Sequence, residues 1–399
     1  MTRPLKILVT DGENRAALAI TRSLGRQGHR IVVGEKTQPS LAQVSRYCAE
    51  RVTYPDPTRD GPGFVDALLR TVRDRAIDVV MPVSEITTGL IVGHKSAFEP
   101  YCRVPFPDVE AFNRAANKVD VITLAQELGI PTPLSVVLAK PGDRPPKGNH
   151  LRFPVVVKPH RSRVPVDGGW RSTSVTYATT AMELDAVLAS RDPAEYPVLL
   201  QERIVGSGMG VFLCYDQGRP VAVFSHKRLR EKPPSGGVSV LCESVPVHPR
   251  AKAYATTLLD HLKWRGVAMV EFKLDQADDT PKLMEINGRF WGSLQLAIDA
   301  GVDFPGMLLC IAMGEPVAPV ESYRIGVKSR WLLGDLDALM MRLFKGDDVL
   351  HLGPGHPGKV RAVAEFLQFF QRDMRYEIWS SEDTRPGLYE ARRWLTHRA

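Results

Sequence analysis

The sequence predicts an α/β unit followed by an α+β unit and a short helical C-terminal segment. Three observations carry this. Over the first hundred or so residues short β-branched runs alternate with helical patterns, which argues for a parallel sheet covered by helices. From residue 113 to about 317 the strands are joined by hairpins and the helices stand apart, the pattern of an α+β unit. Beyond residue 318 two apolar stretches at helical spacing remain. A chain of 399 residues exceeds one core at roughly 150 residues per unit, so domains over 1–112, 113–317 and 318–399 are expected.

In the first domain, residues 6–10 read as a strand, 14–27 as a helix and 30–34 as a second strand, a Rossmann-like order. The turn Asp11-Gly12-Glu13-Asn14-Arg15 carries one of the three glycines of a dinucleotide fingerprint, which disfavours a nicotinamide or flavin cofactor. The strand at 78–82 runs into Val83-Ser84-Glu85. Polar groups at the carboxyl ends of parallel strands line ligand crevices, so Ser84 and Glu85 are candidate substrate contacts; the same residues suit a helix N-cap.

Composition narrows the class. Hydrophobic residues at 44% and charged residues at 24% describe an ordinary globular chain. The five cysteines include no C-x-x-C pair, so neither a disulfide framework nor a zinc ribbon is expected. The net charge of +7 is spread among interleaved Lys, Arg, Asp and Glu, and an anionic small molecule accounts for it without nucleic acid. No export signal and no apolar run near the ~18–20 residues of a membrane span is visible, and a cytoplasmic location is expected.

The second unit holds the chemistry. Lys118 opens a helix that stops at Gly129, and Lys158 ends the strand at 153–157. The polar stretch at 160–173, with Gly168-Gly169, is expected to be mobile. After a helix at 183–190, the strand at 198–202 leads toward Gly206-Ser207-Gly208. Residues 269–274 and 282–289 read as a hairpin centred near Asp278, which sets Glu271 opposite Glu285. Alternation points Glu285 and Asn287 one way, Met284 and Ile286 the other, with Arg289 just beyond. Two carboxylates and an amide oxygen select a hard cation such as Mg²⁺, with Mn²⁺ as the alternative ion. Taken alone, Glu271 and Glu285 would fit a solvated face with Lys273 and Lys282 as partners.

A basic cluster at 225–239 follows. Arg228 and Arg230, with Gly236 and Gly237 permitting close backbone approach, are candidates for a substrate carboxylate or a triphosphate; a solvated strand end is the alternative. His226 is expected to be a hydrogen-bonded structural histidine. In the tail, helices at 331–344 and 360–370 flank a Gly/Pro-rich turn at 351–358, where His351 and His356 are not expected to bind metal. Packing on the central domain is expected; Leu339-Met340-Met341, if uncovered, would suit a homodimer or membrane-surface contact.

The order Lys118, Lys158, Gln201-Glu202, Glu271, Glu285-x-Asn287-x-Arg289, after a Rossmann-like segment, resembles the ATP-grasp superfamily, in particular the predicted ATP-dependent carboligases related to carbamoyl-phosphate synthase halves and biotin carboxylase. The resemblance covers roughly residues 5–315. It implies that Lys118 and Lys158 contact ATP phosphates, that Gln201, Glu202, Arg203, Ile204 and Val205 line the adenine as a hinge, and that Glu271, Glu285 and Asn287 hold Mg²⁺. Arg289 matches the arginine facing the carboxylate that is phosphorylated. The implied activity joins a small carboxylate and an amine through an acyl phosphate. A bicarbonate-using carboxylase and a catalytically silent ATP-binding protein are the alternatives. The segment 161–166 departs from the family in lacking denser glycines, and 208–211 in lacking an evident acidic residue for ribose.

Overall fold

A computed structural model describes residues 3–396 apart from 149, 235, 348, 351 and 353–356. The turn with His351 and His356 therefore lies outside the described residues. The N-terminal sheet consists of β1 (Lys6–Val9), β2 (Arg30–Glu35), β3 (Cys48–Thr53) and β4 (Val79–Met81), all parallel in the order β3-β2-β1-β4. The helix Arg15–Arg26 begins where the Asn14 side chain accepts from Ala16 N–H and buries nine consecutive residues, Ala16 to Leu24, against this sheet and its neighbours. The turn before it keeps Asp11 at φ 57, and Asp11 Oδ2 accepts from Ser84 N (3.0 Å) and Thr87 Oγ1 (2.6 Å), tying the first turn to the end of β4.

Two antiparallel sheets follow. The smaller joins β5 (Ser135–Leu138), β6 (Val155–Pro159), β9 (Thr176–Ala178) and β10 (Val198–Glu202) in the order β5-β10-β6-β9, while β7 (Arg163–Val166) and β8 (Gly169–Ser172) pair only with each other. The stretch expected to be mobile is thus mostly a β-hairpin, its residues pairing across a glycine turn. One face of the small sheet packs Val155, Val157, Val198 and Leu200 against Leu184 and Leu188 of the helix Ala181–Ala189. By alternation Val156, Lys158, Leu199 and Gln201 face the opposite way.

The larger sheet comprises β11 (Gly206–Asp216), β12 (Arg219–Lys232), β13 (Val238–Ser244), β14 (Gly266–Asp275), β15 (Pro281–Asn287), β16 (Lys328–Arg330) and β17 (Met374–Tyr376), ordered β15-β14-β11-β12-β13-β16-β17. Along β14, Val267 and Met269 enter the core shared with the N-terminal domain, whereas Ala268, Val270 and Phe272 enter a second core with helices Lys118–Glu127 and Pro249–His261. Glu271 and Lys273 continue the Val267–Met269 face beyond the edge of that core. The C-terminal segment supplies β16 and β17 and the helices Leu332–Phe344 and Lys359–Phe366. Leu339, Met340 and Met341 are half-buried rather than a bare patch, while Phe344 and Val360 are exposed. No single described helix is long and apolar enough to cross a membrane.

Candidate active site

The hairpin of β14 and β15 places Glu271 directly opposite Glu285 and Met269 opposite Asn287. A bulge between Glu271 and Phe272 leaves Met284 without a cross-strand partner and shifts the phase, so Leu283 and Ile286 both reach the second core while Glu285 and Asn287 share the Glu271 face. Simple alternation had put Met284 beside Ile286; the extra residue breaks that count.

Cations balance the two carboxylates unevenly. Lys118 Nζ, at the start of its helix, lies 3.4 Å from Glu285 Oε2 and donates to Ser162 Oγ at 3.0 Å. Asn287 Nδ2 donates to Glu285 Oε1 (3.0 Å), and Arg289 NH2 donates to Asn287 Oδ1 (3.1 Å). Burial alone would raise the Glu285 pKa, but Lys118, the Asn287 hydrogen bond, Lys158 and Arg289 outweigh it and pull the value to about 2. Burial pushes the Glu271 pKa up, with the Glu285 charge adding to the shift and its ion pair with Arg228 opposing it. Arg228 reaches Glu271 over Gly208, where a Cβ would already meet Arg228 Cδ at 3.6 Å, and also donates to Glu231 at 2.8 Å.

Lys158 faces this group from the small sheet. Burial lowers its pKa to about 8 against the opposing pull of Glu285, with the Lys118 charge adding to the fall, and it makes no ion pair among the described residues. Gln201 shares its sheet face; its Nε2 donates to Ser135 Oγ (3.0 Å), and its buried Oε1 has no partner among the described residues. A small pocket beside Glu285 is lined by Lys118, Ser162, Asn287, Arg289 and, from the N-terminal domain, Glu85; Lys158 and Gln201 of the small sheet are not part of its lining. Gly288, before Arg289, packs so tightly on Trp264 that a Cβ would lie 2.5 Å from its ring, which explains the glycine there.

Other expected residues are placed elsewhere. Ser84 spends its hydroxyl on the helix Glu85–Gly93, accepting from Thr87 N at 3.2 Å in a capping box. Arg230 forms a two-pronged pair with the buried Asp335 (2.7 and 2.6 Å), so it is not free for a substrate. Arg228 is already engaged by Glu271 and Glu231, and serves as their counter-cation. Gly237 is needed because a Cβ would meet Lys232 O at 2.3 Å, and Gly236, at φ +130, closes a turn through its N–H to Pro233 O. Glu202 accepts from Leu134 N (2.9 Å), Arg203 stands over the Tyr177 ring, Ile204 O accepts from Lys273 Nζ (3.3 Å) and Val205 is exposed. His226 is buried with neither ring nitrogen hydrogen-bonded among the described residues, contrary to the expected hydrogen-bonded histidine, and packs edge-on to Phe212; burial first, then Arg228, lowers its pKa to about 3, so it is a neutral core residue. Lys273, offered by the sequence as a surface partner of the carboxylates, lies two residues after Glu271 on the same face and is half-buried, its ammonium turned to the Ile204 carbonyl.

The donor set of Glu271, Glu285 and Asn287 fits a hard cation only in part. No group of three or more His, Cys, Asp or Glu side chains gathers as a ready cage among the described residues, so phosphate and water oxygens would have to complete the sphere.

This architecture, two antiparallel sheets beside a parallel N-terminal domain, is the fold of solved ATP-grasp enzymes. Residues 195–332 match the family described as ATP-grasp in the biosynthetic pathway with Ter operon. In solved structures the chain is similar to an L-amino acid ligase from Bacillus licheniformis, with TM-score 0.62 and 18% identity over 78% of this chain and 75% of that one. It is also similar to the N5-carboxyaminoimidazole synthetase from Staphylococcus aureus complexed with ADP, with TM-score 0.63 and 14% identity over 82% of each. A D-aspartate ligase of Enterococcus faecium (strain Aus0004) is 26% identical over 251 residues, 57% of this chain and 58% of the ligase, so the match spans little more than half of that relative.

Proposed function

We propose that this protein is an ATP-dependent carboxylate–amine ligase. One observation carries the reading: Lys118, Lys158 and Arg289 converge around Glu285, and Lys158 is a desolvated cation without an ion-pair partner among the described residues. A polyphosphate supplies the missing negative charge. The kinship with amino-acid ligases supports the same class.

In this reading the ATP triphosphate runs along Lys158 and Lys118, and the base lies at Gln201 and the 202–205 segment. Glu271, Glu285 and Asn287 would hold Mg²⁺, which when bound neutralises phosphate charge during transfer. Arg289 orients the substrate carboxylate and stabilises charge building between it and the γ-phosphoryl group. Transfer yields an acyl phosphate and ADP. The amine nitrogen then attacks the acyl carbon, the carbon–oxygen bond to phosphate breaks, and phosphate leaves as the amine loses a proton. Glu85, which lines the pocket from the N-terminal domain, would hold the incoming ammonium and take the proton that frees its nitrogen lone pair before attack, while the proton lost afterwards leaves with the phosphate. Purified protein with ATP and Mg²⁺ should release ADP and phosphate in response to a particular acid and amine from a broad panel, with amide formed in step. ATP binding with no stimulation by any pair would favour the silent binder.

A further inference from the structure

The hairpin of β7 and β8 is tied at both ends. At its root, Ser162 accepts from Lys118 Nζ, and Thr173 closes the base through its N–H to Ser162 O (3.1 Å) and its Oγ1 to Arg161 O (2.8 Å). At its tip, Gly168 and Gly169 turn the chain at φ +84 and +138, and Trp170 N–H donates to Thr58 O of the N-terminal domain at 2.6 Å. The backbones meet so closely that a Cβ on Gly169 would lie 2.0 Å from Thr58 O and 3.0 Å from Arg59 Cα, whereas a Cβ on Gly168 would meet nothing within 4 Å. The receiving carbonyl is braced: Asp56 Oδ1 accepts from Thr58 N (3.0 Å) and Thr58 Oγ1 (2.7 Å), and Asp56 pairs with Lys36 at 2.9 Å. Two residues earlier, Tyr54 OH accepts from Asp11 N (2.8 Å), and Asp11 in turn receives Ser84 N–H beside Glu85.

We propose that Gly169 and Trp170, docked on the Thr58 carbonyl, form a latch that holds the β7–β8 hairpin shut across the phosphate end of the cleft, making Gly169 a positioning residue for the ligase reaction. The latch's role in turnover rests on the nucleotide reading above; the docking contact itself does not. A single interdomain backbone hydrogen bond is weak enough to open for nucleotide exchange, yet it fixes the tip on the domain that carries Glu85. With the latch lost, water reaches the acyl phosphate. Its oxygen attacks the acyl carbon, the bond to phosphate breaks, and the acid is regenerated with ATP spent and no amide formed.

The test compares Gly169→Ala with Gly168→Ala. Both put a side chain on left-handed backbone, but only the first drives a Cβ into Thr58. Hydrogen exchange of the β8 amides in the nucleotide-free protein should show Trp170 protected in the parent and in Gly168→Ala, and exchanging about tenfold faster in Gly169→Ala. ADP released per amide formed should rise above the parent ratio in Gly169→Ala alone. Equal Trp170 exchange in all three proteins, or an unprotected amide in the parent, would overturn the docking contact. Faster exchange with an unchanged ADP-to-amide ratio would overturn its role in shielding the intermediate. Calorimetric titration of the parent with ATP and Mg²⁺ separates the two layers, since absence of binding would fell the nucleotide reading even with Trp170 protected.

Discussion

Two clusters of buried charge differ in how completely they are answered. Where the C-terminal segment meets the N-terminal domain, Arg22 donates to Asp383 Oδ2 (2.9 Å) and to the carbonyls of Glu377, Ile378 and Asp383, and Asp383 also receives Ser45 Oγ (2.6 Å) and Arg46 N (3.0 Å). Every charge there meets its complement from another segment of the chain. Between the two antiparallel sheets, Lys158 is desolvated without an ion pair among the described residues, and Glu271 and Glu285 oppose each other across a strand pair. The first arrangement closes on itself and holds the fold. The second leaves charge over, a cost that a ligand of opposite charge would remove.

Breaking the closed cluster should have the largest effect on the fold. Arg22→Ala strands Asp383 in the interior and should destabilise the protein by about 3–5 kcal/mol, read from denaturant midpoints. An unchanged midpoint would show that the segment is held by apolar packing alone. In the open cluster the loss should fall on turnover. Glu285→Gln should reduce turnover roughly 10²–10³-fold with thermal melting preserved, since its partners are the cleft cations rather than the core. Undiminished ADP production across a magnesium titration would remove Glu285 from the site.

Lys158 sharpens the contrast, because there stability and function should move in opposite directions. Its folded pKa, about 8, lies below the ordinary 10.5, so the folded protein binds this proton less tightly than the unfolded chain does. The charged lysine therefore costs stability below pH 8, and that cost fades as pH rises from 8 toward 10.5. Lys158→Met should stabilise the protein at pH 7 by on the order of 1–3 kcal/mol while weakening ATP binding. The smallest effect is the pH dependence itself: ATP affinity of the parent should decline, by at most about tenfold per pH unit, as pH rises through about 8, and stay flat in the variant. A parallel decline in both would assign the titration to another group.

Much of the fold was legible because it is written in local periodicity. The alternation of strand and helix around β1 and β2, the helix beginning at Lys118 and the facing of Glu271 and Glu285 all follow from spacing within short windows. The bulge at Met284 was not legible, since one inserted residue leaves no mark in composition. The basic cluster shows the same limit more sharply. Arg228 and Arg230 are neighbours in one strand, yet one reaches across Gly208 to Glu271 and the other is captured by Asp335, more than a hundred residues away in sequence. Ser84 and Glu85 part in the same way, the first capping its helix and the second opening onto the cleft.

What the sequence determined by itself is the set of chemical groups and the face each takes on its own element, because backbone geometry repeats over two or 3.6 residues whatever surrounds it. Which charges are cancelled and which remain was decided by tertiary structure alone. Ion pairing acts over a few ångströms between groups that the chain order separates by tens to hundreds of residues. Only the packing of the small sheet over the large one, with the N-terminal domain closing the end, leaves Lys158 facing two carboxylates without an ion pair of its own among the described residues.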